Sequence, residues 1–285
     1  MSDAGSVHSE ADSPLIVDHV LATRLERTEA IANSRFVDGR KRSQADSAAA
    51  WIEVAGARAM FDGPDSPCTQ TFGLGLAGDP TEEDFAELES FFQVRGAPVQ
   101  HEVAPLISSE LIRALSERRY VPLEFTNVLC RRIGGNVALP TASNPRIEVA
   151  AATAAESELW ARTSASGWSE TLEFQQFVYE FAKIYPATEG CCAVFARLAG
   201  NPIATGVVAI AEGVALLSGA STLPKERKYG AQSALLTHRL QYAVDRGCDL
   251  AMMCALPGSP SQRNAQRNGF QIAYTRIKWM RLARH

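Results

Sequence analysis

Residues 221–240 read STLPKERKYGAQSALLTHRL. The run just before, GVALLSGAST, has the apolar content of a strand. Just after, Leu236, Leu240 and Val244 recur every four residues, the spacing of a buried helix face. Between strand and helix stand Lys225, Arg227 and Lys228, followed by Gly230. A helix N-terminus already carries partial positive charge from its unpaired N–H groups. Three cations at that point are unfavourable unless an anion sits among them.

Composition narrows the choice of anion. The chain has 285 residues, 46% of them hydrophobic, with a formal net charge of −4. That length suits two ordinary domains or one large one. The slight acidity argues against a nucleic-acid partner, so the basic loop is a local device for a local anion. No apolar run approaches the ~20 residues that span a bilayer, and no membrane partner is expected. The first residues, MSDAGSVHSEADSP, are polar and unlike a signal peptide. Cys68, Cys130, Cys191, Cys192, Cys248 and Cys254 contain no CxxC pair. They read as reduced thiols of a cytoplasmic protein, with adjacent Cys191 and Cys192 on opposite faces of one strand. His8, His19, His101, His238 and His285 lack metal-ligand spacing, and no metal is expected.

Outward from the loop, residues 1–14 read as a disordered tail and 15–42 as mostly helical. Residues 48–61 read as one strand, and TFGLGLA as another. Thr81 ahead of acidic residues predicts a helix start, and Gly96 its stop. A strand over PVQHEVAPL follows, then a helix capped by Ser108 or Ser109, then a long strand over VPLEFTNVLCRRI. Residues 134–145, GGNVALPTASNP, read as a linker between domains 15–133 and 146–285. The second half predicts a strand over 146–152, helices near 155–165 and 170–184, and a hairpin turning at Gly200-Asn201. It continues with the strand before the basic loop, the loop's helix, a buried strand DLAMMCAL, a short helix SPSQRNAQRN and a closing strand.

The two halves repeat each other. Arg95-Gly96 and Arg246-Gly247 end corresponding helices 151 positions apart, and Tyr120 and Gly269 precede corresponding strands 149 apart. Pro80 and Pro224 are only 144 apart, so the second half carries seven additional residues there, coinciding with KERKYGA. Only the second half has a cationic glycine loop.

This loop resembles the cofactor signature of the GCN5-related N-acetyltransferase (GNAT) superfamily, Arg/Gln-x-x-Gly-x-Gly/Ala between a strand and a helix. Arg227 and Gly230 match its first two fixed positions; Gln232 stands at the third, where the family has a small residue. Residues 146–285 follow the family's element order, and Gly269-Phe270 matches its closing Gly-Phe. The whole chain resembles tandem GNAT proteins with a degenerate first half. The resemblance implies an α/β (α+β) fold of two GNAT-like halves, each a mixed, mostly antiparallel sheet flanked by helices. It implies an acetyl-CoA-dependent N-acyltransferase that moves an acetyl group directly to a primary amine of a small molecule or peptide. The N-terminal half would shape the acceptor pocket or a homodimer interface.

For coenzyme A the implied contacts are Ser221, Thr222 and Leu223 on the strand, and Lys225, Arg227, Lys228, Tyr229, Gly230, Ala231, Gln232 and Ser233 at the helix start. Successive N–H groups there form an anion nest, and Gly230 removes a Cβ from the path of the phosphates. The acid and base are less evident. Ala265 occupies the position, four before Gly269, where the family often has a tyrosine acid. Ser261 and Asn264 lie on the same short helix and can hold a water or the thiol. Glu124 is the candidate base, facing a cleft between the halves. Trp168, Glu173 and Tyr179 fall where the family roofs its acceptor site. The competing class is a non-catalytic acyl-CoA-binding regulatory protein, and a third is a structural partner without cofactor.

Overall fold

A computed structural model of the protein describes residues 15–168 and 171–282. The expected disordered tail, His8 and His285 lie outside the described residues. Helix α1 (His19–Ser43) opens the chain, with Asp18 Oδ1 accepting from the Leu21 N–H at 2.8 Å as its cap. The first half continues β1 (Ala50–Val54), β2 (Ala57–Phe61), β3 (Gln70–Phe72), α2 (Glu82–Gln93), β4 (Gln100–Val103), α3 (Ser109–Glu117) and β5 (Tyr120–Arg132). The second half runs β6 (Ile147–Ala151), α4 (Ser157–Trp168), α5 (Leu172–Ala182), β7 (Cys191–Leu198), β8 (Asn201–Ala211), β9 (Val214–Thr222), α6 (Ala231–Val244), β10 (Leu250–Ala255), α7 (Pro260–Arg267) and β11 (Gln271–Arg281). This is the mixed, mostly antiparallel α/β architecture anticipated from sequence.

Several local expectations change. The strand expected over 48–61 is a hairpin, turning at Ala55-Gly56 with both φ angles positive (49° and 74°). TFGLGLA leaves the sheet after Phe72, because Gly73 and Gly75 take φ of 82° and 84°. A Cβ on Gly75 would lie 2.2 Å from Leu111 Cδ2, so α3 can approach that turn only over a glycine. The second hairpin turns at Ala199-Gly200, one residue earlier than expected. Thr81 caps α2 in a reciprocal capping box with Asp84, and Ser108 caps α3.

Among the described residues the strands form one eleven-stranded sheet in the order β1-β2-β3-β4-β11-β5-β10-β9-β8-β7-β6. The last strands of the two halves have changed places. β5 from the first half pairs with β10 of the second, while β11 pairs with β4 of the first. β5 and β11 lie side by side and antiparallel, with Thr126 opposite Arg276, 150 positions later. That separation matches the repeat offset, so a local pseudo-two-fold passes through this pair. The segment 134–145 divides the chain but not the sheet. It is strapped along α6: Thr237 Oγ1 donates to the Pro140 carbonyl at 2.8 Å and Asn144 Nδ2 to that of Tyr229 at 2.9 Å.

Side-chain alternation sorts the helices. Val128, Met252, Leu216 and Ala209 pack beneath α1 on one face. Leu129, Ala251, Ala215, Leu217 and Val208 pack beneath α6 and α7 on the other. α4 joins the α1 face through Trp160, fully buried with its indole N–H on the Val194 carbonyl at 2.9 Å. α2 and α3 cover the opposite face of the first half. Helix α1 crosses both halves, packing on β2 and β3 as well as β8 and β9. Among the described residues no helix is long and apolar enough to cross a membrane.

Candidate active site at the strand split

The sheet opens at one point. β9 and β10 pair in parallel only from Val214/Leu250 to Leu216/Met252. Beyond it β9 follows β8 to Thr222, whereas β10 follows β5 to Ala255. The backbone edge of β9 after Leu216 thus loses its β10 partner. At the same place β9 bulges: Gly219 and Ala220 together face Gly206, between the pairs Val207/Ser218 and Thr205/Ser221. Gly219 takes φ 59°, a conformation that costs most L-residues.

Two cavities meet the split from opposite faces and share Leu217, Ser218, Gly219 and Cys254. On the α6 side, a cavity of about 420 Å³ is also lined by Trp168, Gln232, Leu236, Arg239, Met253, Ser261 and Asn264. On the α1 side, a smaller one of about 190 Å³ adds Glu29, Asn33, Phe36, Tyr185 and Cys191.

The α6 cavity leads to the basic loop. Gly230 is the N-cap of α6 with φ 91°, and no acidic residue occupies the helix's first turn. The corresponding first turn of α2 carries Glu82, Glu83 and Asp84, so its positive end is served by its own carboxylates. Lys225, Arg227, Lys228 and Tyr229 are exposed. Arg227 reaches back to the Gly167 carbonyl, 3.4 Å from Nη2. Gly230 also has a reason within the fold: a Cβ there would lie 2.6 Å from Ser143 Oγ, so glycine admits the 134–145 strap as well as the positive φ. Gln232 turns away to donate to Thr222 Oγ1 at 2.8 Å. Ser221 is buried, its hydroxyl on the Ser164 carbonyl at 3.0 Å, and Ser233 Oγ faces the Thr141 carbonyl at 3.3 Å. Leu223 bonds back to β8 through its N–H, and Ala231 is buried.

The side of the site facing α1 is charged. Arg276 of β11 is 2% exposed and holds Glu29 by two bonds, 2.7 Å from Nη1 and 3.1 Å from Nη2. Its Nη1 also lies 3.4 Å from Glu26, and its Nε lies 3.0 Å from Glu102. Tyr274 donates to Glu26 at 2.7 Å. Burial, opposed by Arg276 and reinforced by Glu29, pushes the Glu26 carboxyl up to about 7. The Cys254 thiol points at Glu29 Oε2 at 3.3 Å, and burial holds it well above the ordinary thiol range. Burial likewise pushes the Tyr185 phenol up.

Of the chemical candidates, Ser261 and Asn264 line the α6 cavity, one helical turn apart. Glu124 lies on β5 outside both cavities, accepting from Thr126 Oγ1 at 3.3 Å. Trp168 lines the α6 cavity, whereas Tyr179 is turned to Glu158 at 2.8 Å and Glu173 is exposed. Ser221, Thr222 and Leu223, the strand residues expected to meet coenzyme A, lie just beyond the split, which falls at Leu217–Ala220. The interior glycine of VALLSGAST was the available signal, since an isolated glycine in a strand marks a bulge. Glu29 and Cys254 carried no local signal, because their helix and strand meet only through the tertiary fold. Among the described residues no group of three or more His, Cys, Asp or Glu side chains could hold a metal ion.

The chain has the fold of the GCN5-related N-acetyltransferases in tandem form. It is similar to a GCN5-related N-acetyltransferase from Kribbella flavida (TM-score 0.66, 18% identity, 93% of this chain and 97% of that one). It is also similar to one from Sphaerobacter thermophilus (TM-score 0.53, 14% identity, 94% of each chain). A tandem GNAT protein from the clavulanic acid biosynthesis pathway aligns over 78% of this chain and 72% of its own, with TM-score 0.50 and 11% identity. No protein-family model and no curated protein matches the sequence.

Proposed function

We propose that the protein is an N-acyltransferase that takes its acyl group from acetyl-CoA or a related thioester and passes it directly to a primary amine. The observation that carries this reading is the split between β9 and β10, with one cavity on each face and four shared lining residues. A thioester in the α6 cavity and an amine in the α1 cavity would meet at Leu217–Ala220. The residues suit coenzyme A: an unpaired strand edge for an amide-bearing arm, then the positive end of α6 and three exposed cations for phosphates.

In the transfer the nitrogen of the neutral amine bonds to the acyl carbon, the carbon–sulfur bond breaks, and one proton passes from that nitrogen to the departing thiolate. An N–H of the Gly219–Ala220 bulge would polarise the carbonyl. Ser261 and Asn264 are placed to hold a water or the thiol. Glu29, rather than Glu124, is the carboxylate beside the split, and would receive the proton that an incoming ammonium must lose. The small 190 Å³ cavity under α1 favours a small-molecule amine over a peptide. A reducing cytoplasm is consistent with the six unpaired thiols.

The test is release of free thiol from acetyl-CoA in the presence of a panel of small primary amines. Amine-dependent release by wild type, lost in Arg227→Ala, supports the reading. Binding without release by any amine would favour the non-catalytic acyl-CoA-binding class, to which Ala265 at the expected tyrosine position points.

A further inference from the structure

Arg239 projects from α6 into the interior, 2% exposed, and lines the α6 cavity near the split. Its Nε donates to the Leu235 carbonyl at 3.2 Å. Its Nη1 donates to the carbonyls of Val207 at 3.1 Å and Ser218 at 3.3 Å. A Cβ on Gly206 would lie 3.2 Å from Cζ and 3.3 Å from both Nε and Nη1, so that edge of the guanidinium rests on the sheet. Nη2 is the remaining corner, and among the described residues it donates to nothing. Nor does any carboxylate pair with Arg239 among them. Burial pulls the guanidinium down to about 10 with no acid acting against it.

An isolated buried cation is costly, and in folded proteins such a charge is normally paired. The three carbonyls explain one edge of Arg239 and its support of the bulge. They do not explain a full positive charge with two spare N–H donors in a cavity whose lining includes Gln232, Ser261 and Asn264 but no acid. The missing partner is an anion that enters the cavity. The phosphates of coenzyme A are served by the exposed loop at the start of α6, two helical turns away from Arg239. The part of the ligand that reaches the split is the acyl group.

We propose that Arg239 recognises a carboxylate on the acyl group itself, so that the preferred donor is a dicarboxylic acyl-CoA of the succinyl or malonyl class rather than acetyl-CoA. This rests on the cavity being an acyl-CoA site. Nη2 would donate to the acyl carboxylate while Nε and Nη1 keep the bulge in place, linking acyl choice to carbonyl polarisation.

The experiment is calorimetric titration of the full chain with coenzyme A, acetyl-CoA, butyryl-CoA and succinyl-CoA. Butyryl-CoA matches the four-carbon length without the charge. A charge-assisted bond to a guanidinium that is 2% exposed predicts succinyl-CoA binding at least about tenfold tighter than butyryl-CoA. Arg239→Gln should lose that succinyl-to-butyryl ratio whatever its affinity for coenzyme A itself; Arg239→Lys, which keeps the cation without the fork, should retain part of it. Equal affinity of wild type for the succinyl and butyryl thioesters overturns the inference and leaves the acyl-CoA site standing. No binding of any of the four overturns both. A succinyl preference that survives in Arg239→Gln overturns the assignment to this residue. Should Arg239→Gln fail to fold, the wild-type ratio together with Arg239→Lys decides.

Discussion

Gly219→Ala tests whether the bulge, rather than the cavity alone, makes the site. Gly219 has φ 59°, and a Cβ there would sit 3.2 Å from Val207 Cγ2. Holding alanine in the left-handed region costs roughly 1–2 kcal/mol. The contact is with a side-chain methyl that can yield by a few tenths of an ångström, so it adds little. For a chain of this size, about 1–2 kcal/mol corresponds to a fall of a few degrees in melting temperature, leaving the protein folded at 25 °C. Alanine can instead escape the cost by relaxing the bulge, which turns the Gly219–Ala220 N–H groups from the split. Loss of one preorganised donor to a developing oxyanion costs about 10²–10³ in kcat. The assays are thermal unfolding and amine-dependent thiol release on the same preparation. A drop of a few degrees with a kcat loss of about 100-fold or more is expected. Gly219→Asn, which tolerates the left-handed region better, should recover part of the rate. A destabilised Gly219→Ala enzyme that turns over at the wild-type rate would refute the role given to the bulge.

Three other outcomes follow from the structure. Arg227 is exposed and its recorded bond is a long one to Gly167, so Arg227→Ala should leave the unliganded melting temperature nearly unchanged, within about 0.5 kcal/mol, while the shift produced by acetyl-CoA shrinks; an undiminished shift would remove the loop from the cofactor site. Glu26 has a folded pKa of about 7, above its ordinary 4.5, so the stability it contributes is fully present below pH 4.5 and disappears as pH rises through 7. Glu26→Gln should therefore flatten the decline in stability between pH 5 and 8, by up to about 3 kcal/mol, and identical pH profiles in denaturant melts would contradict the burial argument. Residues 134–285 alone should show no cooperative melt, because β10 and β11 both lose β5, and β11 also loses β4; a sharp transition would mean the exchanged strands can be replaced.

Most helices and turns of both halves were legible in the sequence because their signals are local. Thr81 and Ser108 cap their helices through contacts three residues away. Gly230, Gly247 and Gly269 each take the positive φ that ends or begins an element. The repeat offset of about 150 was visible in Arg95-Gly96 and Arg246-Gly247, and it reappears as the separation of Thr126 and Arg276 at the pseudo-axis. The exchange of β5 and β11 was not visible, since alternation identifies a strand but not its neighbour. The same holds for Glu29: it lies on a helix whose pattern is that of a partly polar amphipathic element, and only the crossing of α1 over both halves brings it to the split. Glu124 looked suitable in isolation because its apolar neighbours suggested a cleft, yet Leu123 and Phe125 beside it are themselves about half exposed (51% and 53%). Arg239 was hidden in a helix heptad as one more cation, and its burial is a property of the bulge carbonyls it meets.

Coenzyme A is proposed to lie across the β9–β10 split and the start of α6. Amide hydrogen exchange with and without acetyl-CoA tests it most directly. Slowed exchange is expected at Leu217–Ala220 and at Gly230–Ser233, with α2 and its capping box unaffected. Ligand-induced protection confined to the first half, or none at either segment at saturating ligand, would contradict it.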